Sequence, residues 1–397
     1  MPTELQIAYQ LAPVFVQRVH HQNPRGDFIT RIDFTDPENL MSLLDNWVAV
    51  NRLKEHRFDW SKEIWGRLLR SKQAPRFKYK LEPYIYYSVV ETDNYYFVVY
   101  AAYHPQDWYI KPGEGFEAFN GPLPDLFDVN HEHDMEGALV VARKRSDINK
   151  LRADIIITLS HLDFYSYAFW YLTDKVGREF PVFKNVDENI YKGAKENIDG
   201  KIWAVWHTDE NGTVTMRPQL FVEFKGHGIK AEKEGDKTGW AGDYRTIRYC
   251  PSLECTDEPA LFREESPAPV VELDYRTSPD STSGDRIARK EVYRYMLIDI
   301  FEENTREHPA RGLWESRNTP EVFQPRGGLK CFAVLRNGRL KAGSAKPPWS
   351  WDDKTDPSDV KTGWLATHPA ELILDYGYGE KLIGFTDNYF RNKYREI

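Results

Sequence analysis

The chain has 397 residues, 29% of them charged and 14% aromatic, with 61 acidic against 53 basic side chains and a formal net charge of -8. That length holds one large domain with insertions or two ordinary ones, and the aromatic share favours β-structure over helical bundles. The acidic balance excludes an extended cationic surface for nucleic acid, and three cysteines exclude a disulfide scaffold.

Cys250 and Cys255 flank a short turn-like segment, with Cys331 left over, and whether the first two are bonded stays open. The opening Met1-Pro2-Thr3-Glu4-Leu5-Gln6 has neither the basic region nor the apolar run of a secretion signal. No stretch nears the roughly 18 consecutive apolar residues of a membrane span. A cytoplasmic location is the expectation, with secretion left open for a chain whose signal has been removed.

In chain order, Pro13–Val19 and Asp27–Phe34 read as strands separated by the breakers Asn23-Pro24-Arg25-Gly26. Thr35 or Asp36 can cap a helix, Pro37 suits its first position, and Leu40, Leu43, Leu44, Trp47 and Val48 form one apolar stripe, so a helix is predicted over 36–51. Residues 52–80 read as a surface connection. The strongest signal follows: Tyr84–Val90, the turn Glu91-Thr92-Asp93-Asn94, and Tyr95–Tyr103 make a β-hairpin of β-branched and aromatic residues. Pro105 is expected to stop the second strand and leave Asp107 just beyond it.

After a Gly/Pro-rich loop from Pro112 to Pro124, Met135–Arg143 and Asp154–Ser160 read as strands, the second ending in His161-Leu162-Asp163. Ile202–Trp206 and Val214–Met216 flank a turn containing Asn211-Gly212, and Leu220–Phe224 leads into Gly226-His227-Gly228. Residues 251–285 read as a flexible acidic loop. A helix is predicted over 285–303 from the stripe Val292, Tyr295, Met296, Ile298 and Ile300, followed by a loop-rich extension with Pro347-Pro348-Trp349-Ser350-Trp351-Asp352-Asp353. The expected architecture is mostly β: a central antiparallel β-sandwich over 10–250 carrying the site, with peripheral helices, and 286–397 packed on it as a helix plus C-terminal extension.

The stretch Asn130-His131-Glu132-His133-Asp134-Met135-Glu136-Gly137 crowds carboxylates and imidazoles at a strand entrance. Like charges repel there and each partly buried polar group needs a partner, so a cation is the simplest thing to place among them. In an extended chain Glu132, Asp134 and Glu136 share one face, and Asp134 and Glu136 stand about 7 Å apart at roughly 3.3 Å per residue. His131 joins them if the chain turns before the strand, and Asp107 from the preceding strand end is the fourth ligand. Oxygen-rich donors with one imidazole favour Mg²⁺ or Ca²⁺, then Mn²⁺, over structural zinc. A cation with open positions can hold a ligand or activate water, with His133, His104 or His161 as candidate general bases; alternatively it staples loops.

The run Tyr100-Ala101-Ala102-Tyr103-His104-Pro105-Gln106-Asp107 resembles the strand-end motif of the necrosis-inducing cytolysins, and His131-Glu132-His133-Asp134-Met135-Glu136 resembles their heptapeptide GHRHDWE. Asn130, Glu132 and Met135 stand where that motif has Gly, Arg and Trp. A related fungal vacuolar-sorting-type group with an HEGDWE motif is similar too, including a segment like Pro347–Asp353. The resemblance covers about residues 83–230 plus that late segment. It implies Asp107, His131, Asp134 and Glu136 as metal ligands, with looser echoes at Ser160–Asp163 and at His227. It also implies a β-sandwich whose surface cleft binds the sugar head group of a membrane sphingolipid. The functional expectation is a divalent-metal-centred binding protein for glycan or glycolipid head groups at a membrane surface, or a metal-dependent phosphoester or glycoside hydrolase using the same cleft.

Overall fold

The computed structural model describes residues 2–20, 27–31, 83–108, 130–160, 163–169, 190–193, 201–208, 212–223, 226–231, 244–253, 291–301, 333–334, 340–341, 348–351 and 363–395. Within helices and strands, the side chains at 19–20, 105–108, 130–133, 169, 190–193, 201, 244–246, 291, 333–334, 340–341 and 350 lie outside that description. So do the predicted helix over 36–51, the loop from Pro112 to Pro124, most of 251–285, Cys255, Cys331 and His161.

Helix α1 (Glu4–Leu11) leads into β1 (Val14–His20), β2 (Tyr84–Thr92), β3 (Tyr95–Trp108), β4 (Asn130–Arg143), β5 (Ile155–Ser160), β6 (Asp163–Phe169) and β7 (Ile190–Gly193). There follow β8 (Lys201–Thr208), β9 (Val214–Val222), β10 (Ile229–Lys230), β11 (Tyr244–Pro251) and β12 (Glu291–Asp299). A separate small pair, β13 (Ala333–Val334) and β14 (Leu340–Lys341), precedes helices α2 (Trp364–Thr367) and α3 (Pro369–Asp375) and the last strand β15 (Tyr389–Arg391).

The mostly β expectation is met. Pairing, however, runs as one continuous ladder in the order β1, β11, β12, β2 through to β9, and returns from β9 to β1, giving a nearly closed mixed barrel rather than two separately paired antiparallel sheets. Three of its pairings, β1 with β9, β11 with β12 and β12 with β2, are parallel and join segments far apart in sequence. Parallel neighbours need long crossovers, which a strand-by-strand reading of hairpins does not reveal.

The predicted helix over 285–303 is overturned by β12, which lies between β11 and β2. Tyr293 and Tyr295 are buried at alternate positions, and Val292, which precedes them and points to the opposite face, is buried as well. A strand covered on both faces shows no clean alternation, so an incidental helical stripe took its place in the reading. The second early strand is also absent in its described part: residues 27–31 hold only an isolated bridge from Thr30 to Tyr103. The hairpin forms as predicted, with Val89 paired to Val98, but β3 does not stop at Pro105. Its register with β4 resumes at Gln106–Glu132 and continues to Trp108–Asn130. Proline removes a single donor, and the bonds on either side carry the ladder past it.

Helix α1 closes the structure against the barrel. Its N-terminus is a reciprocal capping box, Gln6 N–H donating to Thr3 Oγ1 at 3.2 Å and Thr3 N–H to Gln6 Oε1 at 2.9 Å. Buried donors on three strands meet its other end: Tyr100 Oη donates to the Ala8 carbonyl at 2.6 Å, Arg217 to those of Tyr9, Gln10 and Ala12, and Tyr295 Oη to that of Pro13 at 2.6 Å. A buried guanidinium at a helix C-terminus is stabilised by the carbonyl ends it caps.

The C-terminal segment covers the outer side of the hairpin and its neighbours. Leu365, Leu372 and Ile373 join the core, Phe385 packs on Tyr95, and Tyr394 Oη bonds Ser88 Oγ at 2.6 Å. Trp351 is fully buried where Gly137 leaves room: a Cβ on Gly137 would lie 2.2 Å from Trp351 Cη2. Among the described residues no helix is long and apolar enough to cross a membrane.

Candidate metal centre

The paired strands β3 and β4 set the geometry of the site. Their register places His104 opposite Asp134, Ala102 opposite Glu136 and Asp107 opposite His131. Opposed residues on an antiparallel pair share a face, so His104 and Asp134 meet. β4 is already extended at Asn130, and no turn separates His131 from the strand. Asp107, His131 and His133 are therefore located by their backbone positions, their side chains lying outside the described set.

Into the His104–Asp134 pair comes His227, from the loop between β9 and β10. Its Nδ1 lies 3.0 Å from Asp134 Oδ2 and its Nε2 lies 3.1 Å from Asp27 Oδ1. Carboxylates only accept when ionised, so an imidazole bridging two of them donates from both nitrogens. Burial by itself would lower the His227 pKa, but the hydrogen bonds and charges of Asp134 and Asp27 outweigh it and push it up to about 9. The four side chains of His104, Asp134, His227 and Asp27 are all buried.

His104 completes the group. Its ring stacks on that of His227, with centroids 3.8 Å apart and planes 3° from parallel. Burial, reinforced by the neighbouring His227 charge, holds its pKa well below the usual imidazole range, so it is neutral. Both of its ring nitrogens are buried with no hydrogen-bond partner among the described residues. A buried lone pair or N–H that no group meets is costly in a dry site.

His104, Asp134 and His227 each offer one ligand atom, and the three atoms lie within 4.8 Å of one another. The Nδ1–Oδ2 distance of 3.0 Å is near the roughly 3.3 Å expected between two ligands about 2.05 Å from one tetrahedral ion. The backbone of His227 is itself unusual, with φ at 52°. A non-glycine residue held in the left-handed region stores strain and persists only where its surroundings fix it. Gly228 beside it is packed closely enough that a Cβ would lie 2.3 Å from Ser160 Oγ.

Of the residues singled out from the sequence, Asp134 lies in this cluster and Glu136 is buried two positions along the same strand. His104, expected only as a base, stands among the metal-capable donors, and His227 joins it. Asp27 was missed: one acid at the edge of a breaker-rich segment carries no local signal, and it lies 200 residues from the imidazole it meets.

No family model matches the chain, and no curated protein matches it. Two solved structures match part of it. One is the crystal structure of Necrosis and Ethylene inducing Protein 2 from the causal agent of cocoa's Witches Broom disease, 16% identical, covering 38% of this chain and 47% of that one, with a TM-score of 0.18. The other is the non-toxic HaNLP3 protein, 16% identical, covering 27% of this chain and 44% of that one, with a TM-score of 0.17. This chain is similar to less than half the length of either, and superpositions of that size leave the barrel described above to stand on its own.

Proposed function

We propose that this is a divalent-metal-centred binding protein whose cation is centred on Asp134 and which recognises the sugar head group of a glycan or glycolipid. The observation that carries the metal half is the buried convergence of His104, Asp134 and His227, with the His104 nitrogens lacking partners among the described residues. What supports the head-group half is the sequence resemblance at Tyr100–Asp107 and His131–Glu136. Asp107 on β3, beside His104, and His131 and Glu136 on β4, beside Asp134, are proposed to supply further donors toward it.

When bound, a divalent ion supplies Lewis acidity and open positions for hydroxyl oxygens. The protein's part is to hold it. Asp134 contributes charge, His104 and His227 contribute nitrogen, and Asp27 keeps His227 oriented. Burial of these four excludes water from the inner side of the site and strengthens each electrostatic contact.

Elemental analysis of protein equilibrated with divalent ions and then dialysed is expected to return one bound ion, lost in Asp134→Asn. Sedimentation with glycolipid-containing liposomes is expected to depend on that ion and to fail after chelation. A wild-type protein that retains no ion, or one that sediments with no glycolipid head group, refutes the proposal. Chelator-sensitive release of the head group into the supernatant turns the same site into that of a hydrolase.

A further inference from the structure

We infer that the buried cluster selects an imidazole-preferring transition ion such as Zn²⁺ rather than Mg²⁺ or Ca²⁺, with His104, Asp134 and His227 as its protein ligands and Asp27 as the positioning carboxylate for His227. This rests on the Asp134-centred reading above and extends it to donor chemistry. Two imidazole nitrogens and one carboxylate oxygen form the donor set that borderline transition ions prefer, whereas Mg²⁺ and Ca²⁺ collect oxygen.

Asp27 holds the His227 Nε2–H side at 3.1 Å, and an ion bound at Nδ1 would displace the proton that Nδ1 shares with Asp134 at 3.0 Å, releasing it to solvent. A metal-ligating histidine characteristically donates its other nitrogen to such a carboxylate, which sets both tautomer and ring direction. His227 is the anchored ring. His104 is the one that must move, because an ion lies in the plane of an imidazole that binds it and two planes only 3° from parallel cannot share one ion. In turning toward the ion the His104 ring gives up its stack on His227 but no hydrogen bond among the described residues.

The test uses the full-length protein stripped with chelator and titrated separately with Zn²⁺, Co²⁺, Mg²⁺ and Ca²⁺. One equivalent of Zn²⁺ is expected, and Co²⁺ is expected to show the intense visible bands of low-coordinate, nitrogen-ligated ion, unaffected by excess Mg²⁺ or Ca²⁺. His104→Ala should abolish those bands. Asp27→Asn should keep the stoichiometry but weaken Zn²⁺ affinity about 10- to 100-fold, at a melting temperature that shows it still folded. The wild-type Co²⁺ spectrum decides the donor set even if either variant fails to fold. Equal competition by Mg²⁺ or Ca²⁺, or full Co²⁺ bands in His104→Ala, overturns the inference while leaving a cation on Asp134. Unchanged Zn²⁺ affinity in folded Asp27→Asn removes the positioning role, and binding of no ion overturns both this inference and the proposed function.

Discussion

Replacing Gly137 by alanine is a sharp probe of how the C-terminal segment is seated on the strand that carries Asp134. A glycine-to-alanine change within a strand ordinarily stabilises by about 0.5–1 kcal/mol. Here the added Cβ would lie 2.2 Å from Trp351 Cη2 and 2.3 Å from the Tyr100 carbonyl oxygen. Carbon pairs rest at roughly 3.5–4.0 Å, so the indole has to retreat by more than about 1 Å. It has nowhere to go, being 1% exposed, and the carbonyl belongs to the paired strand β3. Overpacking of this kind costs about 1–3 kcal/mol, and expelling the indole costs at most the roughly 3–5 kcal/mol of an aromatic truncation. The expected loss for Gly137→Ala is therefore about 3 kcal/mol, opposite in sign to the generic effect. Urea unfolding followed by far-UV circular dichroism measures it, since 12 tryptophans make fluorescence composite. Combined with Trp351→Ala, the glycine change should cost about 1–2 kcal/mol less than in the wild-type background, because the ring it strikes is gone. A Gly137→Ala protein within about 0.5 kcal/mol of wild type, or strict additivity of the pair, refutes the reasoning.

Arg217→Met should cost about 3 kcal/mol or more, because it strips the donors from three carbonyls at the end of α1. Hydrogen exchange should show α1 losing protection, and unchanged exchange there would count against the capping role. Burial, with the charges of Arg217 and Arg294, holds His207 down to about 3, so its contribution is complete above its unfolded value of 6.5 and is lost as pH falls toward 3. That removes about 2 kcal/mol by pH 5, from about 1.5 pH units at 1.36 kcal/mol each. His227 acts oppositely in metal-free protein: raised to about 9, it contributes fully below 6.5, and its share is lost as pH rises through 9. The alkaline loss totals about 3 kcal/mol, from about 2.5 pH units. Melting temperature against pH should fall on both sides, and His227→Gln should lack the alkaline fall; a variant that keeps it would place the titration elsewhere.

Local patterning made the hairpin β2–β3 and the strands β4 and β5 legible, because their runs of valine, isoleucine and tyrosine are dense and end in turn residues. It failed at β12, where burial on both faces erased the period that distinguishes strand from helix. It also failed at Pro105, read as a terminus although β3 runs three residues further. For the site, the charge density of 130–137 was visible in the chain, and it led to Asp134.

What the sequence by itself determined was the β class, the strongest strands and a carboxylate that asks for a cation. The tertiary structure alone decided which groups answer it. His104 reaches Asp134 through the β3–β4 register, while His227 and Asp27 arrive from segments 93 and 200 residues apart from their partners. Contacts of that kind follow from how a nearly closed ladder brings distant loops together, and no local period or propensity encodes them.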